Sequence, residues 1–345
     1  MLFEAIILTC IKELNEERSA SSIYHLLKGK KGIQTVQDAF LFRLENYYRI
    51  YPTLTRDDFE RKITELERKK LIRRGKESNS FYRLTDQGHV LLKRYKMKCF
   101  YGKRFGDAAN IFYSRLLLLI QTLTNRNMGN TTFLPIIDDR KIQYWIKQIY
   151  PKIKGKEKNW LKGLYQELYN LLQPFSELEK GIFVHRLTGY KRYGLSIEQL
   201  AEKFSQDRHD VILLLESVKH QMYVKVNKEK DLYPHLSFVS KNSIPAAALT
   251  ESAKTTYRLL QKGYGIEQIA SIRKLKINTI HDHIVELAIS VPDFPIEPFV
   301  SPEEKMEIVQ AIKRLNSFKL KDIKNAVPDH IDYFQIRLVL SNQNK

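Results

Sequence analysis

The stretch Ile266-Glu267-Gln268-Ile269-Ala270-Ser271-Ile272-Arg273-Lys274-Leu275-Lys276-Ile277-Asn278-Thr279-Ile280 holds a short amphipathic helix, a basic turn and the opening of a second helix. Working outward, Thr250 is placed to N-cap an earlier helix whose apolar stripe runs over 253–260, and the pair Gly263/Gly265 stops it. Downstream, Ile277, Ile280, Ile284 and Leu287 fall on one face of the last helix. Ala270 is small where two helices must cross closely. Three short helices with that spacing form a helix-turn-helix unit. With the apolar stripe inward, the outward positions of the third helix are Asn278, Thr279, Asp282 and Glu286. Two carboxylates facing DNA would repel phosphates, and only Arg273, Lys274 and Lys276 offset them. The expectation is that these four outward residues dock a protein partner rather than read a groove.

The residues around this unit carry a family resemblance. Thr255 to Gly263, then 266–270, Arg273, Asn278-Thr279-Ile280-His281-Asp282-His283, Val300-Ser301-Pro302-Glu303-Glu304, Leu320-Lys321-Asp322-Ile323 and Ile331-Asp332-Tyr333-Phe334-Gln335-Ile336-Arg337 together resemble the helicase-associated helix-turn-helix domain at the C-terminus of RecQ-type DNA helicases. The resemblance spans roughly residues 248–342, and the whole chain looks like the YpbB family of Firmicutes. A helicase motor needs a Gly-x-x-x-x-Gly-Lys-[Ser/Thr] phosphate loop, which this sequence does not contain. What the resemblance implies is a motorless protein working beside a RecQ-like helicase, and that is analogy at the level of the fold.

The front of the chain reads as a winged helix. Helices are expected over 3–14, 22–27, 35–48 and 56–70, the last opened by Thr55-Arg56-Asp57-Asp58 in the manner of a capping box. Two short strands, 71–74 and 80–84, flank the turn Gly75-Lys76-Glu77-Ser78-Asn79, and Thr85-Asp86-Gln87-Gly88 caps a further helix. On helix 56–70, Phe59, Ile63 and Leu66 form the inward stripe, leaving Arg61, Thr64, Glu65 and Arg68 outward. The DNA-binding reading takes Arg61, Thr64 and Arg68 with Arg73, Arg74 and Lys76 of the wing. The alternative is a solvated helix, because Asp57 with Arg61 and Glu65 with Lys69 are spaced as i,i+4 ion pairs.

Two basic, aromatic-rich runs follow. Lys93, Arg94, Lys96, Lys98, Lys103 and Arg104 alternate with Tyr95, Phe100, Tyr101 and Phe105. Lys152, Lys154, Lys156 and Lys158, flanked by Lys147 and Lys162, lie among Trp145, Tyr150, Trp160 and Tyr165. Cations beside aromatic faces suit a single-stranded nucleic-acid track. The competing reading is a helical core with solvated lysines, since Trp145, Ile149, Trp160, Leu161, Leu164 and Leu168 keep helical spacing. Residues 176–243 repeat a three-helix pattern over 178–187, 195–201 and 208–220, with 222–226 and 236–239 as wing strands. Residues 242–250 read as the linker into the C-terminal domain.

The net charge of +19 over 345 residues is concentrated at the front. Residues 1–100 hold 21 Lys/Arg against 13 Asp/Glu, 101–175 hold 12 against 5, and the remaining 170 hold 25 against 21. Such a surface favours an anionic polymer and salt-sensitive binding. No apolar run approaches the roughly 20 residues of a membrane span. The start lacks a signal peptide's basic region. Two cysteines provide neither a zinc quartet nor a disulfide framework, so a reduced, cytoplasmic and possible nucleoid-associated protein is expected. His281 and His283 project about 200° apart on a helix and cannot share a metal. No catalytic residues, metal or cofactor are expected.

The expected fold is therefore mainly α and multi-domain. An N-terminal winged-helix domain (1–98) leads through a basic helical connector (99–175) to a helix-turn-helix-like middle domain (176–243) and a helicase-type helix-turn-helix domain (248–345). The expected function is a non-catalytic DNA-binding accessory of a RecQ-family helicase in DNA repair or recombination. Its expected partners are DNA and the helicase, with no membrane. The alternatives are a winged-helix transcription regulator and a protein-interaction scaffold.

Overall fold

The computed structural model describes residues 1–75, 80–242 and 249–342, which are mainly helical. They fall into two compact units, one of residues 6–95 with 246–345, the other of residues 1–5 with 96–245. The four segments read from the sequence are thus gathered in two, because the first and last pack together.

In the first unit, α1 (Leu2–Leu14, of which the part from Ile6 belongs here), α2 (Ala20–Lys28), α3 (Ile33–Leu41) and α4 (Arg56–Arg68) precede a hairpin of β1 (Ile72–Arg74) and β2 (Tyr82–Leu84), and α5 (Asp86–Arg94) follows. The helix expected over 35–48 is shorter. Arg43 adopts φ 55 after α3, and the chain re-forms only a 3-10 turn at Glu45–Tyr47. Thr55 caps α4 by accepting from the Asp58 backbone N–H, and Phe59, Ile63 and Leu66 are its buried stripe. The wing is antiparallel with Arg73 opposite Arg83. Gly88, in the first turn of α5, sits so close to the Leu71 carbonyl that a Cβ would lie 2.2 Å from its oxygen. Only glycine lets the helix start there.

The same unit holds α13 (Glu251–Leu260), α14 (Ile266–Arg273), α15 (Ile277–Ser290), α16 (Pro302–Leu315), α17 (Leu320–Lys324) and α18 (Tyr333–Asn342). Thr250 caps α13 as expected, and Lys274 turns the chain between α14 and α15 in a left-handed conformation, φ 51. α15 is the hub: α13, α14, α18 and also α3 of the N-terminal segment pack on it. Ile280, Ile284, Val285 and Leu287 are fully buried. The α3 contact is a polar lock over an apolar one. Gln37 donates to the Arg337 carbonyl (2.9 Å) and the Ser341 hydroxyl (2.9 Å). Arg18 pairs with Asp38 at 2.7 Å, Glu17 accepts from the Phe318 N–H at 2.7 Å, and Phe42 meets Phe318 edge-on.

The second unit is built on α6 (Gly102–Asn127), with α7 (Arg140–Ile153), α8 (Glu157–Leu172), α9 (Glu177–His185), α10 (Ile197–Lys203), α11 (Arg208–Lys228) and α12 (Pro234–Ser240). α7, α8, α11 and α12 pack on α6, while α9 and α10 pack on α11. The wing strands expected at 222–226 and 236–239 are helices instead. Val218, Met222 and Val226 continue the buried stripe of α11 at four-residue spacing, and no Gly or Pro interrupts the chain before Pro234 opens α12. At the α6–α11 contact, buried Glu216 lies between Lys219 and His220. Burial pushes its carboxyl up, but these neighbours outweigh it and hold it at about 2. Residues 243–248 of the expected linker lie outside the described residues.

Candidate nucleic-acid interface

The third helix of the helix-turn-helix unit does not present the surface its apolar stripe implies. Glu286 is buried, 8% exposed, and its carboxylate accepts from the Thr250 N–H (2.5 Å) and hydroxyl (3.0 Å), closing the start of α13. Asp282 accepts from Arg337 of α18 at 2.8 Å. Glu286 is therefore not an outward group, which corrects its assignment, whereas the Asp282 side chain stays 43% exposed while paired. α3 and α18 cover the side of α15 left free in a three-helix unit. Arg273 is also occupied, its guanidinium donating to the Ser252 carbonyl (2.9 Å) and hydroxyl (2.9 Å) and to the Thr256 hydroxyl.

What remains outward is the first turn of α15 and the turn before it. Lys274, Lys276, Ile277 and Asn278 are exposed, and Thr279 is half-buried. This end is basic because the acids behind it are consumed internally. His281 stacks on Phe334 at 3.9 Å, and His283 meets the Thr256 hydroxyl through Nδ1 at 2.9 Å, so the histidine pair serves packing. Burial, with Arg273 nearby, pushes His283 below its ordinary value. Among the described residues, no group of His, Cys, Asp or Glu is arranged to hold a metal ion.

The polar residues of the run 331–337 are structural. Asp332 and Gln335 cap α18 reciprocally (2.8 and 2.9 Å), and Gln335 also donates to Glu304 of the α16 capping box at 2.8 Å. Arg337 ties α18 to Asp282 and, at 3.3 Å, to Gln37 of α3. A sequence motif can mark a keystone rather than a contact surface.

The winged helix keeps its outward face. Arg61, Thr64 and Arg68 are exposed on α4 and Arg73 and Arg74 on β1, while Lys76 lies outside the described residues. Several of these have local partners. Arg61 pairs with Asp58, one turn away, at 2.5 Å, rather than with Asp57. The Thr64 hydroxyl donates to the Glu60 carbonyl (3.0 Å), and Arg74 forks onto Glu67 at 2.8 and 3.3 Å. Among the described residues, no carboxylate pairs with Arg68 or Arg73.

The first basic run crosses from one unit into the other. Lys93 and Arg94 are exposed at the end of α5 in one unit, whereas Lys96, Lys98, Lys103 and Arg104 belong to the other. Lys98 is engaged by buried Glu179 at 3.0 Å, Lys103 is half-buried, and exposed Arg104 lies over the Phe105 ring. Lys152, Lys154, Lys156 and Lys158 are all exposed around the α7–α8 turn. Arg126 at the far end of α6 covers the Tyr150 ring at 5.4 Å, just before that turn. Arg104 and Arg126 are separated by about 33 Å of helix, so the two runs of this unit sit at opposite ends of α6. The tryptophans are half-buried in ring contacts: Trp160 meets His235 and Phe238, and Trp145 meets Phe238 beneath Arg115.

Two comparisons bear on the identity of this architecture. Residues 252–340 match the family described as a helix-turn-helix domain, which is of the helicase-associated type. Protein YpbB of Bacillus subtilis (strain 168) is 33% identical over 349 residues, covering 99% of this chain and 97% of that protein. The chain belongs to the YpbB family. No solved structure is significantly similar to it. The helix-turn-helix domain supports DNA binding by this family member, and among the described residues no helix is long and apolar enough to cross a membrane.

Proposed function

We propose that this protein is a non-catalytic DNA-binding accessory of a RecQ-type helicase in DNA repair or recombination, holding duplex DNA with the helix-turn-helix unit and the winged helix of its first unit. The observation that carries the DNA contact is the exposed, basic first turn of α15. Lys274 and Lys276 stand in front of Asn278, and both acids behind them are bound internally. Helix-turn-helix proteins contact base edges with the first residues of this helix, and asparagine suits adenine. Asn278 and Thr279 thereby move from protein docking to DNA contact. On the winged helix, Arg68 and Arg73 are the cations best placed to reach phosphates.

The helicase setting draws its support from the resemblance of residues 248–342 and from the missing phosphate loop. The test is duplex and forked DNA binding by the full chain carrying Lys274→Ala, Lys276→Ala and Asn278→Ala together. These side chains are exposed, so stability should move by no more than about 0.5 kcal/mol. Affinity should fall on every substrate and the salt slope should shrink by about two. Unchanged affinity would overturn the DNA contact. Tight selection of one short duplex sequence would favour the regulator over the helicase accessory.

A further inference from the structure

α8 carries a second surface with its own chemistry. The helix buries Leu164, Glu167, Leu168, Leu171 and Leu172 on one side. Positions 158, 162, 165 and 169 follow the i, i+4, i+7, i+11 spacing of a single helical stripe on the other. That stripe reads Lys158, Lys162, Tyr165, Tyr169, and all four are exposed. Tyr165 is 68% exposed and Tyr169 54%, and their rings stack on one another with centroids 6.3 Å apart and planes 28° from parallel. A stacked aromatic pair standing in water on successive turns is a ready surface for another flat ring.

The charge around the pair is one-sided. Residues 140–172 hold eight Lys/Arg and two Asp/Glu. Both acids are already engaged: Glu157 accepts from the Tyr150 hydroxyl at 2.7 Å, and buried Glu167 accepts from the His235 and Leu236 N–H groups at 2.9 and 2.8 Å. Lys152, Lys154 and Lys156 extend the cationic surface around the α7–α8 turn that leads into the stripe. The stripe itself is about 17 Å long.

We propose that this face of α8 binds single-stranded nucleic acid, with unpaired bases stacking on Tyr165 and Tyr169 and the backbone running along Lys158, Lys162 and the turn lysines. A duplex keeps its base faces stacked inside and offers only their edges, so it can use the lysines but not the tyrosine rings. This site lies in the second unit and stands independently of the duplex contact proposed for the first.

The experiment uses the full chain and fluorescence anisotropy of labelled thymidylate and uridylate oligonucleotides, with a hairpin duplex alongside. Replacing both tyrosines (Y165A with Y169A) removes no core atoms and should weaken binding of the single strand by about tenfold or more, leaving the duplex essentially unaffected. Y165F with Y169F should retain the affinity, since the ring and not the hydroxyl does the stacking. Equal losses on thymidylate and uridylate would identify stacking without sugar selection, and a loss on one alone would name DNA or RNA as the ligand. K158A with K162A should lower the salt slope by about two. Single-strand affinity untouched by the alanine pair would overturn the proposal. So would a wild-type protein that ignores both oligonucleotides yet binds poly-glutamate in a tyrosine-dependent way, which would assign the face to an acidic protein.

Discussion

α4 and α15 occupy equivalent places in two DNA-binding-type modules of one unit, and they satisfy their polar residues in opposite ways. On α4 the ion pairs are between neighbours in sequence, Arg56 with Glu60, Arg61 with Asp58, and Lys62 and Lys69 with Glu65, although Arg56 also donates to the Ser21 hydroxyl of α2. On α15 they are remote: Asp282 with Arg337, Glu286 with Thr250, His283 with Thr256. Local pairs leave a helix face in water, where a ligand can displace them at little cost. Remote pairs stitch a helix into the core. The difference teaches that the third helix of a helix-turn-helix unit can be a structural hub, with only its leading turn left for contact.

The largest expected effect breaks the α15 side of this comparison. Glu286→Ala removes a buried carboxylate and leaves the Thr250 N–H and hydroxyl, at a partly buried helix start, without their charged acceptor, so the full chain should lose about 2–3 kcal/mol in urea unfolding. A loss below about 1 kcal/mol, with altered ligand binding, would return Glu286 to the surface and erase the contrast. Arg337→Ala comes next. Its ion pair with Asp282 is partly open to solvent, so the expected loss is about 1–2 kcal/mol, and a double-mutant cycle with Asp282→Ala should show a measurable coupling of about 0.5–1 kcal/mol. Additive single effects would mean that Arg337 stabilises the unit through α3 and not through α15.

The same contrast explains what the sequence could and could not disclose. The caps at Thr55, Thr85, Asp139 and Thr250, the wing register and the inward stripe of α4 all follow from residues within a few positions of each other. Helical periodicity also found Ile280, Ile284 and Leu287 on α15. It could not place Glu286, because periodicity locates one buried face and is silent about a second contributed by α3 and α18, far along the chain. The expected wing strands at 222–226 and 236–239 failed for a different reason. Short apolar runs do not separate strand from buried helix, and the four-residue spacing of Val218, Met222 and Val226 was the available signal. For the proposed single-strand surface, charge and aromatic content pointed to the same segment of the second unit, but the tryptophans are half-buried against Phe238 while Tyr169 stands in water. The polar side of α8, where Tyr165 and Tyr169 share a stripe with two lysines, could have been read from the same helical spacing.

The smallest expected effect sharpens the α4 side. Hydrogen bonds from Lys62 and Lys69 hold the Glu65 carboxyl at about 2, below its ordinary value. A folded-state value below the unfolded one contributes stability that is fully present above the ordinary carboxylate range and is lost as pH falls through about 2. Because Glu65 and Lys69 are partly open to solvent, screening reduces that contribution well below what the shift alone implies, to less than about 1 kcal/mol. Glu65→Gln should therefore lower stability slightly at neutral pH, and the difference from wild type should shrink as pH approaches 2 and in high salt. Urea unfolding across that pH series is the check. A loss of several kcal/mol at neutral pH would show that α4 is held by its charges as firmly as α15 is, and a loss that persisted at the acid end would mean that Glu65 acts through shape rather than charge.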